Sequence, residues 1–140
     1  NTLLQNQIYN NTGLGIEIVE SGPTYGVTLN DAGDSDGGAN NQQNFPILTA
    51  VDVDSPTSVT IDGSINSLVS TTLRIEFFAS AAADPSGHGE ANLPLGDLSV
   101  TTAADGTVSF AATFSTPVPV GHIITATATD PAASHSSQLA

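Results

Sequence analysis

From residue 47 onward the chain is built of short runs in which apolar and polar residues alternate, each bounded by Gly, Pro, Asn or Asp. Ile47, Thr49, Val51 and Val53 alternate with Asp52 and Asp54, and Val59, Ile61 and Ile65 with Thr60, Asp62 and Ser64. Leu73, Ile75, Phe77 and Ala79 oppose Arg74, Glu76 and Phe78. Val108, Phe110, Ala112 and Phe114 oppose Ser109, Ala111 and Thr113, and Ile124, Ala126 and Ala128 oppose Thr125, Thr127 and Thr129. A period of two belongs to the β-strand, whose successive side chains point to opposite faces. Each run therefore predicts a strand with one buried and one wet face. No stretch carries a capped 3.6-residue periodicity, so helices are not expected. The predicted core is Leu73, Ile75, Phe77, Val108, Phe110, Phe114, Ile124 and Ala126, with Phe78 outward.

The connections fit this reading. Asp105-Gly106 is a hairpin signal between strands at 95–102 and 107–114. Leu95 and Leu98 differ in parity across Gly96-Asp97, which predicts a β-bulge. Pro117 and Pro119 suit a longer crossing between strands, as a Greek key requires. A short seventh strand is expected around residues 136–139. Six or seven short strands in about a hundred residues predict a sandwich.

Residues 1–44 break the pattern. Residues 6–16 (NQIYNNTGLGI) have the form of one coil of a parallel β-helix, with Ile inward and Asn at the turns. Residues 30–44 (NDAGDSDGGANNQQN) form an acidic loop rich in Asn and Gly. These two motifs are followed by Phe45-Pro46, by IEFFA at 75–79, by DPSG at 84–87 and by TATATDP at 125–131. In that order they resemble the Ig-like segment that follows right-handed β-helix repeats in large bacterial secreted and surface proteins. The resemblance covers nearly the whole chain and implies a modular, extracellular protein. Many members of that group carry Cys near positions 83 and the C-terminus; here position 83 is Ala83 and Cys is absent.

Composition narrows the function. One basic residue, Arg74, stands against fourteen acids, for a formal net charge of −13. Binding to a nucleic-acid backbone needs Lys and Arg to displace counterions, so it is excluded; anionic lipid is disfavoured for the same reason. The apolar runs are too short to insert in a membrane. Without Cys there are no disulfides or thiolate ligands, and without Lys no Lys–Asn isopeptide crosslink can form. No signal peptide opens the sequence, which starts within a rung as a piece of a longer protein would. The balance suits divalent cations or neutral polysaccharide.

The strongest candidate chemistry lies in the acidic loop. Asp31, Asp34 and Asp36, flanked by Asn30 and Asn40 and separated by Gly, offer the oxygens that Ca²⁺ takes from carboxylates, amide carbonyls and backbone. The loop is not an EF-hand, since no Glu stands at its twelfth position. A solvated acidic turn, with Asp and Asn bonding their own backbone, is the competing reading. Asp84 and Glu90, in the loop DPSGHGE at 84–90, offer a second cation site or an ordinary long loop. Ser86, His88 and Asp84 crowd a single turn, whereas catalytic triads are assembled in space. Asp130-Pro131 could hold an inter-domain Ca²⁺ or simply start a turn. His122 and His135 read as surface or strand-end residues. Of the aromatics, Tyr25 and the outward Phe78 are the candidates for stacking on sugar, and Asn10-Asn11-Thr12 is a formal glycosylation sequon.

The expected architecture is all-β: an Ig-like antiparallel β-sandwich over residues 45–140, preceded by a β-helix-like segment (1–29) and an acidic Ca²⁺-binding loop (30–44). The expected function is that of a non-catalytic, secreted or cell-surface structural or adhesive module stabilised by Ca²⁺. The alternative is a carbohydrate-binding module of a secreted multidomain protein. A single β-helix coil cannot bury its own faces. If these residues are a whole subunit, the apolar N-terminal segment should fold back on its own sandwich, or add to the edge of another copy and build a fibre; if they are a fragment of a longer β-helix protein, stacked neighbouring coils cover it.

Overall fold

The computed structural model describes residues 1–19 and 25–140, with Asp54 through its backbone alone. Residues 20–24 of the expected N-terminal segment lie outside it. The described residues form seven strands: β1 (Ile47–Ser55), β2 (Ser58–Asn66), β3 (Thr72–Ser80), β4 (Leu93–Thr101), β5 (Thr107–Phe114), β6 (Ile123–Asp130) and β7 (His135–Ser136). The only helical element among them is a short 3-10 turn at Ala39–Gln42. One sheet has the order β1-β2-β5 and the other β4-β3-β6-β7, and all pairings are antiparallel. The two sheets pack as a β-sandwich.

The alternation that predicted the strands also builds the core. Val59, Ile61, Ile65, Phe110 and Ala112 of the first sheet meet Leu73, Ile75, Phe77, Ala126 and Ala128 of the second, all buried. Val108, Phe114 and Ile124 pack against this cluster from its margin. Phe77 is its centre: its ring lies edge-on to Phe110, with centroids 5.8 Å apart, and tilted against Phe114 at 5.2 Å. The bulge falls where parity required it. Phe77 pairs with Gly96 and Phe78 with Pro94, so Leu95 is the extra residue. Gly96 adopts φ +151°, and a Cβ there would stand 2.6 Å from the Phe114 ring. Glycine is needed on both counts.

Two local readings are corrected. Asp105-Gly106 does form a tight turn, with Gly106 at φ +80° and Asp105 Oδ1 accepting the Thr107 N–H at 2.9 Å. Yet it does not close a hairpin, because β4 pairs with β3 and β5 with β2. The Ser67 N–H donates to Gly106 O at 2.9 Å, which seats the turn at the sandwich end where the chain changes sheets. The apolar parity of β1 is also reversed. Ile47, Val51 and Val53 are 54%, 43% and 61% exposed, and Leu48 packs on the core instead. β1 is an edge strand whose register shifts between Leu48 and Ala50, and an irregular edge is not held to one alternation.

The outer face of the four-stranded sheet is not wet. Thr125, Thr127 and Thr129 are buried together with Phe78 and Glu76. The C-terminal tail runs beside β6, with Ser137 N donating to Ala128 O and Ala140 N to Ala126 O. The N-terminal segment crosses the same face. It forms no strand among the described residues and makes one antiparallel bridge, Ile8 to Ala91. Ile8 and Ile16 close over Phe78, Ala91 and Leu139 as a second apolar cluster. Phe78 thus points outward as predicted but is only 4% exposed.

Glu76 anchors this segment, since both its carboxylate oxygens accept the Gln5 N–H, at 3.0 and 3.3 Å. Burial raises its carboxyl pKa above the ordinary 4.5, against the opposing pull of the Gln5 N–H and Arg74. A raised carboxyl favours the proton-bound folded state. Its contribution to stability is therefore complete below the unfolded pKa and lost as pH rises through the folded one. Urea denaturation between pH 7 and about 4.5 should show the wild type gaining more stability on acidification than Glu76→Gln. Parallel pH profiles would contradict this role.

Candidate metal centre

Residues 30–44 fold as a loop whose shape is set by side-chain amides standing in for backbone. Asn30 pairs with Phe45 in both senses: its Nδ2 donates to Phe45 O at 2.8 Å and its Oδ1 accepts Phe45 N–H at 2.9 Å. Asn44 Oδ1 accepts Asp31 N–H at 3.0 Å, while its Nδ2 donates to Asp31 O and Asn66 O. Gly33 (φ +75°) and Asp34 (φ +53°) take the left-handed conformation that turns the chain back on itself.

That turn brings Asp31, Asp34 and Asp36 together, each with a carboxylate oxygen within 4.8 Å of the others'. Among the described residues this is the one group of three or more His, Cys, Asp or Glu side chains that could hold a metal ion. Ca²⁺ binds oxygen at about 2.3–2.6 Å, so ligands across the ion stand up to about 5 Å apart. The spacing is therefore one that a single ion can bridge.

The three acids differ in their other bonds. Asp34 is 5% exposed. Its Oδ1 accepts Asn44 N–H at 2.8 Å, and its Oδ2 accepts Gln43 Nε2 and Ser67 Oγ at 2.8 Å each. Burial raises the Asp34 pKa. The donors from Ser67, Asn44 and Gln43 oppose that shift, and the neighbouring charge of Asp31 adds to it. Asp31 Oδ2 accepts the Ser35 N–H and hydroxyl at 3.1 and 2.9 Å. Its Oδ1 is buried with no hydrogen-bond partner.

Of the five residues expected at the metal, three converge and two have other work. Asn30 is paired with Phe45, as above. Asn40 donates to Asn1 O and Ser136 O at 3.0 Å each, so it ties the N-terminal segment and β7 to the loop. Gln43, Asn44, Asn66 and Ser67 position the acids and were not singled out in the sequence. Gln43 and Asn44 sit at the loop's polar margin, and Ser67 carries no local signal at all.

In the second acidic loop the two acids have different surroundings. Asp84 Oδ1 accepts the Ser86 N–H at 2.8 Å, and this bond holds the Asp84 carboxyl below its ordinary pKa. Glu90 lines a cavity of about 240 Å³ together with Tyr9, Asn10, Asn11 and Asn92. Ser86 Oγ accepts from the His88 backbone N–H, and the His88 ring lies edge-on to Phe45 at 5.3 Å. Asp130 Oδ1 accepts from Ala132 and Ala133 N–H at 2.8 and 3.1 Å, the geometry of a turn starter.

No protein-family model matches the chain, and no curated protein shows significant similarity to it.

Proposed function

We propose that this is a Ca²⁺-stabilised, non-catalytic structural or adhesive module of the Ig-like type, built for the extracellular environment where free Ca²⁺ is plentiful. The observation that carries the reading is the convergence of three carboxylates in which a buried oxygen of Asp31 has no partner. Such an atom is costly in an empty site and is satisfied by a cation. The loop's position supports the same reading. Through Asn40 and Asn44 it is bonded to Asn1, Ser136 and the β2–β3 corner, so an ion there stiffens the region where the N-terminal segment and β7 meet the sandwich. The order β1-β2-β5 facing β4-β3-β6-β7, with crossings after β2, β4 and β5, is a Greek-key arrangement of the kind Ig-like sandwiches use. In this reading the N-terminal segment serves its own sandwich first, and a fibre requires it to leave that face for another copy.

The test is thermal denaturation with excess Ca²⁺ and with chelator. Binding to the native state alone adds about 2.7 kcal/mol at a hundredfold excess over Kd. Asp31→Asn keeps the Ser35 acceptor but weakens the cation site, so it should melt like the wild type in chelator and gain little from Ca²⁺. A wild-type melting curve that chelator leaves unchanged rules out the calcium reading.

A further inference from the structure

We propose that the cavity between residues 9–11 and the approach to β4 is a binding site for a small ammonium ligand bearing hydroxyls, of which an amino sugar is the saccharide form. It is separate from the acidic loop and does not depend on the calcium reading. Tyr9, Asn10, Asn11, Glu90 and Asn92 line it, with residues 80–83 completing the wall.

The walls are fixed to one another. Ile8 and Ala91 exchange backbone hydrogen bonds at 2.9 and 2.7 Å, and Gln7 Nε2 donates to Asn92 O at 2.7 Å. The backbone at Glu90 is held as firmly. Its carbonyl accepts from Ser80 Oγ at 2.9 Å and from Thr125 Oγ1 at 2.8 Å, and Ser80 Oγ also accepts from Asn92 N–H at 3.1 Å. Gly89 lets this segment lie close to β6, since a Cβ there would stand 2.5 Å from the Thr125 methyl. Sites on a backbone so constrained are preorganised.

The chemistry follows from Glu90. It is 8% exposed, and its Oε2 is buried with no hydrogen-bond partner. The chain can supply no Lys or Arg to it, because Arg74 is engaged with Asp97 at 3.1 Å and Glu76 at 3.5 Å. A buried carboxylate without a counter-charge is unfavourable, and a ligand cation relieves it. The volume holds roughly eight waters, the scale of one sugar ring and far more than a bare ion fills. Only one carboxylate lines it, whereas Ca²⁺ recruits several. An ammonium fits Glu90 through a charge-assisted bond. Hydroxyls beside it fit the Asn amides, which donate and accept at once. Tyr9, 47% exposed, offers a ring face to a sugar or to the cation.

The experiment is calorimetric titration of the intact chain, with Ca²⁺ in excess, using glucosamine, glucose and, in a separate arm, Ca²⁺ alone. Glucosamine should bind at least about tenfold more tightly than glucose, the worth of one hydrogen bond to a charged group. Glu90→Gln should lose that margin, and Tyr9→Ala should weaken binding about two- to fivefold. Both variants should keep the wild-type melting temperature and its response to chelator, which belongs to the acidic loop. Should Glu90→Gln melt early, the wild-type comparison of the two sugars decides alone. Equal affinity for glucose and glucosamine, undiminished binding to a folded Glu90→Gln, or no binding of either sugar overturns the proposal. Ca²⁺ binding that Glu90→Gln abolishes overturns it too, making this an ion site.

Discussion

Phe78→Ala is expected to cost about 3–5 kcal/mol, as much as Phe110→Ala, although Phe78 faces away from the sandwich interior. The reason is the cover. Ile8, Ile16, Ala91 and Leu139 close over the ring and leave it 4% exposed. Removing it opens a cavity under a segment that is not part of any sheet and is held by scattered bonds, among them Gln5 on Glu76, Gln7 on Asn92, Ile8 on Ala91 and Leu3 on Ser136. Urea denaturation of Phe78→Ala, Ile8→Ala and the double variant should show coupling of about 0.5–3 kcal/mol, the range for side chains in contact. A loss below about 1 kcal/mol for Phe78→Ala, with no coupling to Ile8, would mean that the segment leaves this face in solution. It would then be free to pair with a neighbouring copy.

Asp34→Ala is expected to cost about 3–5 kcal/mol even in chelator. Alanine strands the Asn44 N–H and the Ser67 hydroxyl, and it removes one acceptor from the Gln43 amide, which keeps Ser67 Oγ at 3.1 Å. Each buried orphan costs about 1–3 kcal/mol, and relaxation of the loop keeps the sum below simple addition. Asp34→Asn should be milder, because its remaining oxygen still accepts and the Ser67 hydroxyl can turn. Asp34 is therefore a structural carboxylate whatever the ion does, and the calcium question is better put to Asp31. Equilibrium unfolding in chelator checks this, and a loss under about 1 kcal/mol for Asp34→Ala would contradict it. The experiment also separates the two roles of the loop. Asp34 variants lower the baseline, whereas Asp31 variants change the response to Ca²⁺.

Alternation at period two was enough to locate five strands, with the turn at Asp105-Gly106 marking the sixth, and to pick the inward face of β2, β3, β5 and β6, because burial of one sheet face is written residue by residue along each strand. The convergence of Asp31, Asp34 and Asp36 was legible for a similar reason: the acids are close in sequence and Gly33 permits the turn between them. Strand pairing was not legible. Asp105-Gly106 specifies a tight turn, and a turn can join strands of one sheet or of two; the β2 and β3 partners that separate β4 from β5 are distant in sequence. The use of Asn30 and Asn40 was hidden too, because an Asn amide binds a backbone as readily as its oxygen binds a cation, and only the positions of Phe45, Asn1 and Ser136 decide between them. Nor could the local pattern show that Phe78 and the Thr residues of β6 are buried. Their cover is an irregular segment and a tail with no period of their own, the segment brought to that face by hydrogen bonds to Glu76, Ala91 and Ser136 and the tail by bonds to Ala128 and Ala126, all to residues distant in sequence or on another strand.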